Sequence, residues 1–472
     1  MQLAHPHLRW KVGNDISLLE NGVQLFPALC AAFNAATTSI HIEMYIFRLD
    51  IAGRLLLQHL ILAAKRGLKV RVLIDGYGSA IEDEAIAGAL REAGAQCRIY
   101  RPEPKHFTMK SFDFMRLRRL HRKIVVIDET IGFVGGINFE DDYSTADPEV
   151  RTTDARYDYA VRVTGPIVLD LVEAIDLLWL RMRKYAHIQN GVTSADNSSS
   201  KRSQKTARSW RQSHLKHLRT RLRYFKRNWT TSRTSSSVSS EVSSGISSGT
   251  LSNASLSTSS LLSSNTSANT STEISTKTPN NMRAALILRD NLRYRRTIET
   301  SYLFHISAAK NEIIIANAYF LPGGKLRRAL IDAAHRGVKV RLLLQGKIEY
   351  QMQYHATRWI YDLFLREGIE IYEYLPSFLH AKVAVIDGVS FVGSSNLDPF
   401  SLLLAREANV LIDDLSFTAQ LRQSLENAMT RGSRIIELSL YGRRPFLGRI
   451  ADGLSYLLLR IGVTLSGRSD HY

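Results

Sequence analysis

The chain has 472 residues, 44% of them hydrophobic, and a formal net charge of +18. That is long enough for two or three ordinary domains with a large buried core, and two cysteines, Cys30 and Cys97, without metal-ligand spacing exclude a zinc site built on Cys. The charge excess points to a polyanionic partner, nucleic acid or an anionic membrane surface, and does not choose between them.

The N-terminus, MQLAHPHLRWKVGND, lacks an apolar core of signal-peptide length. No run approaches the ~18 apolar residues of a membrane span, so any membrane contact is expected to be peripheral. Residues 1–185 then alternate apolar strands with helical periods. The run IHIEMYIF at 40–47 predicts a buried parallel strand. The stretch ILAAKRGLKVRVLIDG at 61–76 predicts a helix ending at Gly67, placed as a left-handed cap, and a strand straight after it.

Residues 186–281 change character. Positions 201–229 hold eleven Lys or Arg and no acid, with Leu215, Leu218, Leu222 and Phe225 at helical spacing. This fits either a basic amphipathic helix attracted to anionic lipid or a disordered basic tail without a partner, and the first is expected. Positions 231–280 are more than half Ser and Thr. Such a stretch buries too little surface to offset its chain entropy and is expected to be a disordered linker.

From Met282 to about residue 440 the first pattern returns. IIIANAYF at 313–320 parallels the earlier strand, and LIDAAHRGVKVRLLLQG at 330–346 parallels the earlier helix, cap and strand, with Gly337 at the cap. Tyr45, Phe47, Tyr319 and Phe320 close the two parallel runs and are expected in the core. The final stretch, 443–463, mixes Arg with apolar residues and is too short and too charged to span a bilayer. The sequence leaves open whether it lies in a membrane interface or packs on the second repeat.

Each repeat contains one H-x-K-x-x-x-x-D constellation: His121, Lys123 and Asp128 in HRKIVVID, and His380, Lys382 and Asp387 in HAKVAVID. A glycine turn and an Asn follow in each, ending at Asn138 and Asn396. Residues i and i+2 of an extended chain share a face, so the His and Lys address one ligand together. The Asp, seven residues on, would project to the other face about 23 Å away, which favours a structural role. Imidazole, ammonium and amide are the groups a phosphodiester needs: nucleophile or acid, counter-charge, and donor to the phosphoryl oxygens. Two halves docked together place one histidine on each side of the phosphorus, one to attack and one to protonate the leaving oxygen. The lysines supply the neutralising charge, so no metal and no cofactor is expected.

The paired motif resembles that of the phospholipase D superfamily over essentially the whole chain outside 190–281. Stretches such as LLENGVQLFPAL (18–29), LHRKIVVIDETIGFVGGIN (120–138), YDYAVRVTGPIV (157–168) and VGSSNLDPFSLLLAREANV (392–410) look like bacterial cardiolipin synthases of the subtype without N-terminal transmembrane helices. The resemblance implies an α/β fold: two phospholipase D-like domains, each a mixed sheet flanked by helices, in a pseudo-twofold arrangement with one shared active site. The domains fall at 1–185 and 282–440, with 186–281 as linker and 441–472 as a tail. It implies His121 as nucleophile and His380 as acid/base, with Lys123, Lys382, Asn138 and Asn396 on the phosphate. It further implies Asp158 and Glu407 as the acids that orient the histidines. Two positions depart from the pattern: Ala405 stands where such enzymes usually have Asn, and Phe400 where much of the wider family has Arg.

The implied reaction joins two phosphatidylglycerols into cardiolipin and glycerol on the cytoplasmic face of a bacterial inner membrane. The alternatives are a hydrolase, a transphosphatidylase using phosphatidylethanolamine, or, with less support, a nuclease of the same superfamily. A degenerate scaffold would need a broken motif, and neither copy is broken.

Overall fold

The computed structural model describes residues 8–103, 118–144, 151–191, 281–290, 294–442 and 444–467. The basic stretch 201–229 and the Ser/Thr-rich stretch 231–280 lie outside them. The described parts of Met1–Tyr185 and Pro279–Tyr472 form one compact unit.

The first repeat runs β1 (Lys11–Glu20), α1 (Asn21–Ala35), β2 (Ser39–Met44), α2 (Ile51–Lys65), β3 (Lys69–Asp75), α3 (Asp83–Glu92), β4 (Gln96–Tyr100), β5 (Ile124–Ile127), β6 (Ile131–Gly135), β7 (Tyr159–Thr164) and α4 (Val168–Gly191). The second runs β8 (Met282–Arg289), α5 (Thr297–Ala308), β9 (Glu312–Asn317), α6 (Gly324–His335), β10 (Lys339–Gln345), α7 (Gln351–Trp359), α8 (Tyr361–Arg366), β11 (Glu370–Tyr374), β12 (Lys382–Ile386), β13 (Val389–Gly393), α9 (Pro399–Leu403), β14 (Glu407–Asp413) and α10 (Leu415–Gly432). The chain then forms β15 (Ser433–Ile435), α11 (Leu438–Tyr441) and α12 (Phe446–Gly467).

The mixed α/β class expected from the sequence is what the fold shows. β2, β3 and β4 pair in parallel, as do β9, β10 and β11, and the pairs formed by β5–β7 and β12–β14 are antiparallel. β2 and β9 are buried along almost their whole length, as strands covered on both faces must be. Full burial of one such Ile is worth ~1.5–3 kcal/mol. Gly67 and Gly337, each at φ 87°, end α2 and α6 as left-handed caps.

The strand order is β15-β11-β10-β9-β12-β13-β14-β8-β1-β7-β6-β5-β2-β3-β4. Apart from β15, it reads the same repeat from both ends. β1 and β8 meet antiparallel at the centre, with Lys11 opposite Ala284 and Asn14 opposite Met282 and an irregularity between them. An edge strand left unpaired there would expose its backbone groups. Asn14, fully buried, fills the irregular step: its amide donates to the Lys11 and Met282 carbonyls (2.8 and 3.1 Å), and its oxygen accepts from Ile167 N–H (2.9 Å). One core cluster crosses this join, uniting Ile16, Val161 and Val163 with Ala284, Val410 and Phe417. The two expected sheets are therefore edge-joined into one.

Candidate active site

β5 begins at Ile124, so His121 and Lys123 lie in the extended approach to it, whereas Lys382 opens β12. Each approach is fixed by the opposite repeat. Leu120 forms a parallel bridge with Arg406, and Tyr157 forms one with Leu379. His121 N–H donates to the Arg406 carbonyl (3.0 Å) and His380 N–H to the Tyr157 carbonyl (2.8 Å). The next residue along each partner strand is a carboxylate. Glu407 therefore meets His121, with Nδ1 at 3.0 and 3.1 Å from its two oxygens, and Asp158 meets His380, with Nδ1 2.6 Å from Oδ2. A carboxylate at Nδ1 holds the proton there and leaves Nε2 as the reacting nitrogen.

The ammonium groups of Lys123 and Lys382 each donate to the carbonyl of the histidine two residues before, Lys123 at 3.1 Å. Lys382 Nζ also lies 3.6 Å from Asp158 Oδ2. Burial lowers Lys123 to about 7, and repulsion from Lys382 adds to the effect. Burial lowers Lys382 to about 8, with Asp158 opposing. Burial pushes Asp158 up to about 6, against the pull of Lys382. Both imidazoles sit below their ordinary range, His121 through burial only partly offset by Glu407, and His380 through burial and the Lys382 charge. His380 is electrostatically coupled to His121, and Lys123 to Lys382. The two motifs thus share one buried, cation-rich site.

The family model of the cardiolipin synthase, phospholipase D-like domain matches residues 29–160 and 302–429. Cardiolipin synthase B of Salmonella typhi is 33% identical over 96% of this chain and 89% of its own length. Its counterpart in Escherichia coli strain K12 is 32% identical over the same shares. The chain belongs to the cardiolipin synthase family. The solved phosphatidylserine synthase of Haemophilus influenzae Rd KW20 shares the fold, with a TM-score of 0.57 at 13% identity over 98% of this chain and 97% of that one. The resemblance read from the motifs is therefore borne out.

In this member of the cardiolipin synthase family, Asn138 and Asn396 follow the turns after β6 and β13. Both are nearly buried, and their side-chain oxygens have no hydrogen-bond partner among the described residues. An amide oxygen only accepts, so a hydroxyl donor would satisfy it, whereas phosphoryl oxygens would have to be met by the amide N–H groups. Asp128 and Asp387, which close the two motifs, bond to backbone rather than to either histidine. The Asp128 carboxylate accepts from the backbone N–H of Thr37, Thr38 and Ser39, each at 2.8 Å. The Asp387 carboxylate accepts from Lys310, Asn311 and Glu312 N–H at 2.9–3.0 Å. Each sits beyond the far end of its strand and ties down the loop before β2 or β9.

Tyr45 departs from its expected place in the core, and other groups at the site were not singled out from sequence. The Tyr45 ring stands edge-on to the His121 imidazole at 4.6 Å, with Lys123 Nζ 5.0 Å from its centre, so Tyr45 is a site wall rather than core. Phe47 and Phe320 are fully buried, as expected. Ser394 Oγ donates to Glu407 Oε2 at 2.6 Å. Arg156 joins Glu140 and Glu349, both at 3.7 Å, beside the His380 pair. Ser394 holds in FVGSSN the position that Gly136 holds in FVGGIN, which is its only sequence signal; Arg156 carries no local signal.

Proposed function

We propose that this chain is a phosphatidyltransferase that joins two phosphatidylglycerols into cardiolipin and glycerol through a covalent phosphohistidine. Residues 1–185 and 282–440 act as the two halves of its one catalytic unit. The observation that carries the reading is the crossed pair of histidines, each held at Nδ1 by a carboxylate of the opposite repeat, around two buried lysines.

Lys123 and Lys382 take the phosphodiester anion, and the amides of Asn138 and Asn396 reach its oxygens. That bound negative charge raises the affinity of His380 for a proton, which the empty cationic site suppresses. His121 Nε2 attacks phosphorus; the bond to the glycerol oxygen breaks, and His380 Nε2–H protonates the departing glycerol. The terminal hydroxyl of a second phosphatidylglycerol then gives its proton to His380 and attacks phosphorus. The P–N bond breaks, cardiolipin leaves and His121 is restored. Glu407 and Asp158 stabilise each imidazolium as it forms.

Phospholipid substrates put the enzyme at a membrane surface, and we place it peripherally on the cytoplasmic face of a bacterial inner membrane. Among the described residues no helix is long and apolar enough to cross a membrane.

The test is a product assay with labelled phosphatidylglycerol and the full chain. Cardiolipin with free glycerol is expected, with loss of turnover in both His121→Ala and His380→Ala. With a phosphatidyl donor whose leaving group needs no acid, the His380→Ala protein should accumulate label on histidine and the His121→Ala protein should not. Phosphatidic acid alone would make the protein a hydrolase. Turnover with phosphatidylethanolamine only would change the donor. Wild-type turnover in both variants would end the phosphohistidine reading.

A further inference from the structure

We propose that α12 is a docking helix that lies on an anionic phospholipid surface and brings the active site to its substrates. The proposal rests on the reading of the site as a lipid transferase.

A surface helix of a soluble protein normally turns its apolar stripe inward. α12 does the reverse. Leu447, Ile450, Leu454, Leu457, Leu458 and Ile461 recur at helical spacing on one face, and each is 46–78% exposed. From Leu447 to Ile461 this stripe runs ~21 Å. The protein-facing side carries the buried Leu459 and a set of polar contacts. Asp452, 2% exposed, lies 2.8 Å from His355 Nδ1 and 2.7 Å from the Arg444 guanidinium. The Tyr456 hydroxyl accepts from Arg327 at 3.2 Å. A Cβ at Gly453 would sit 2.8 Å from the Trp359 ring, so the glycine lets α12 seat closely on α7. The helix is thus seated by these contacts and presents its apolar stripe outward.

The charge on this element names the occupant. Asp452 is the only acid between Leu438 and Gly467, and it is buried and paired. Arg449 and Arg460 are exposed along the flank of the stripe. An outward apolar stripe edged by arginines, with its one acid withdrawn, fits an anionic bilayer interface. A second copy of this chain, itself strongly basic, would bring like charge to the same face.

Packing links α12 to the elements of the site. Leu459 packs with Leu321 and Ala356, and Phe400 of α9 joins that cluster; α9 opens three residues after Asn396. On α7, Met352 and Trp359 are about half exposed and extend the apolar area. Tyr350, just before α7, lies against Tyr319, whose hydroxyl donates to Glu349 at 2.8 Å; Glu349 in turn pairs with Arg156 beside His380. A chain of side-chain contacts thus runs from Tyr350, at the start of the helix that seats α12, to Arg156 beside His380.

The experiment is flotation of the purified full chain with phosphatidylcholine vesicles, with and without phosphatidylglycerol. Wild type should partition onto the anionic vesicles and release in high salt. The variant Ile450→Ser/Leu454→Ser/Leu457→Ser, at exposed positions, should partition about tenfold more weakly or worse. Its turnover of a short-chain, monomeric phosphatidylglycerol should match wild type, and its turnover on vesicles should fall with the partition. Arg449→Glu/Arg460→Glu reads the same surface without touching the apolar groups, should the first variant fold poorly. Unchanged partition in both variants would overturn the proposal. So would wild-type dimers that the serine variant dissociates, since the face would then be a protein interface. If no form of phosphatidylglycerol is turned over, the catalytic reading fails while the flotation still decides this one.

Discussion

Lys123 and Lys382 hold their charges against burial, at about 7 and about 8 rather than near 10.5. A lowered lysine is cationic below its pKa and neutral above it. The free enzyme should therefore lose phosphate affinity as pH rises through the window from about 7 to about 8. A bound phosphodiester returns charge to both lysines, so kcat should persist to higher pH than kcat/KM. A pH profile on a monomeric substrate reads both limbs, and a kcat/KM still flat at pH about 9 would contradict the assignment. Asp128 behaves differently. Despite a raising contribution from partial burial, its amide and hydroxyl partners in Thr37–Ser39 hold the carboxyl well below the usual range. Replacing it by Ala also places a non-Gly, non-Asx residue at φ 50°. Asp128→Ala should cost about 2 kcal/mol in thermal or denaturant unfolding and leave kcat of the folded protein near wild type. A loss of kcat comparable to His121→Ala would return Asp128 to the catalytic set.

At the scale of elements, the turns after β6 and β13 are built to match their carboxylates. In the first repeat the shorter Asp158 sits against Gly136, where a Cβ would lie 2.3 Å from Oδ1. In the second repeat Ser394 takes that place, and its hydroxyl donates to the longer Glu407. Gly136→Ala must push Asp158 off His380, and about a hundredfold loss in kcat is expected. Ser394→Ala removes one donor from Glu407 and should lose about tenfold. Steady-state kinetics beside a melting curve separates these losses from misfolding. Wild-type kcat in Gly136→Ala would show that the Asp158–His380 contact is not needed.

At the scale of the whole molecule, the β1–β8 join carries function, because it brings each histidine under the carboxylate of the other repeat. All four groups belong to one chain and one compact unit. Mixing His121→Ala with His380→Ala protein should therefore restore no turnover. Recovery toward a quarter or more of wild type would mean that sites form between chains.

Much of this was legible in the sequence for a local reason. The repeat, the strand runs, the Gly67 and Gly337 caps and both H-x-K motifs are patterns of period or spacing within a few residues, and short-range sterics and burial enforce them. The structural leaning for Asp128 and Asp387 also came from spacing alone. Partnership across the chain was not legible. His121 meets Glu407 across 286 positions and His380 meets Asp158 across 222, and no local preference encodes which acid goes with which histidine. That choice follows from β1 pairing antiparallel with β8, which crosses the two repeats. The same holds for α12: its mixture of Arg and apolar residues left both packing and interface open, and only its docking through Asp452, Gly453 and Tyr456 decided which face turns outward. The sequence by itself determined the chemistry of the groups, and the tertiary structure decided their company, because contacts between distant segments are settled by the packing of the whole sheet.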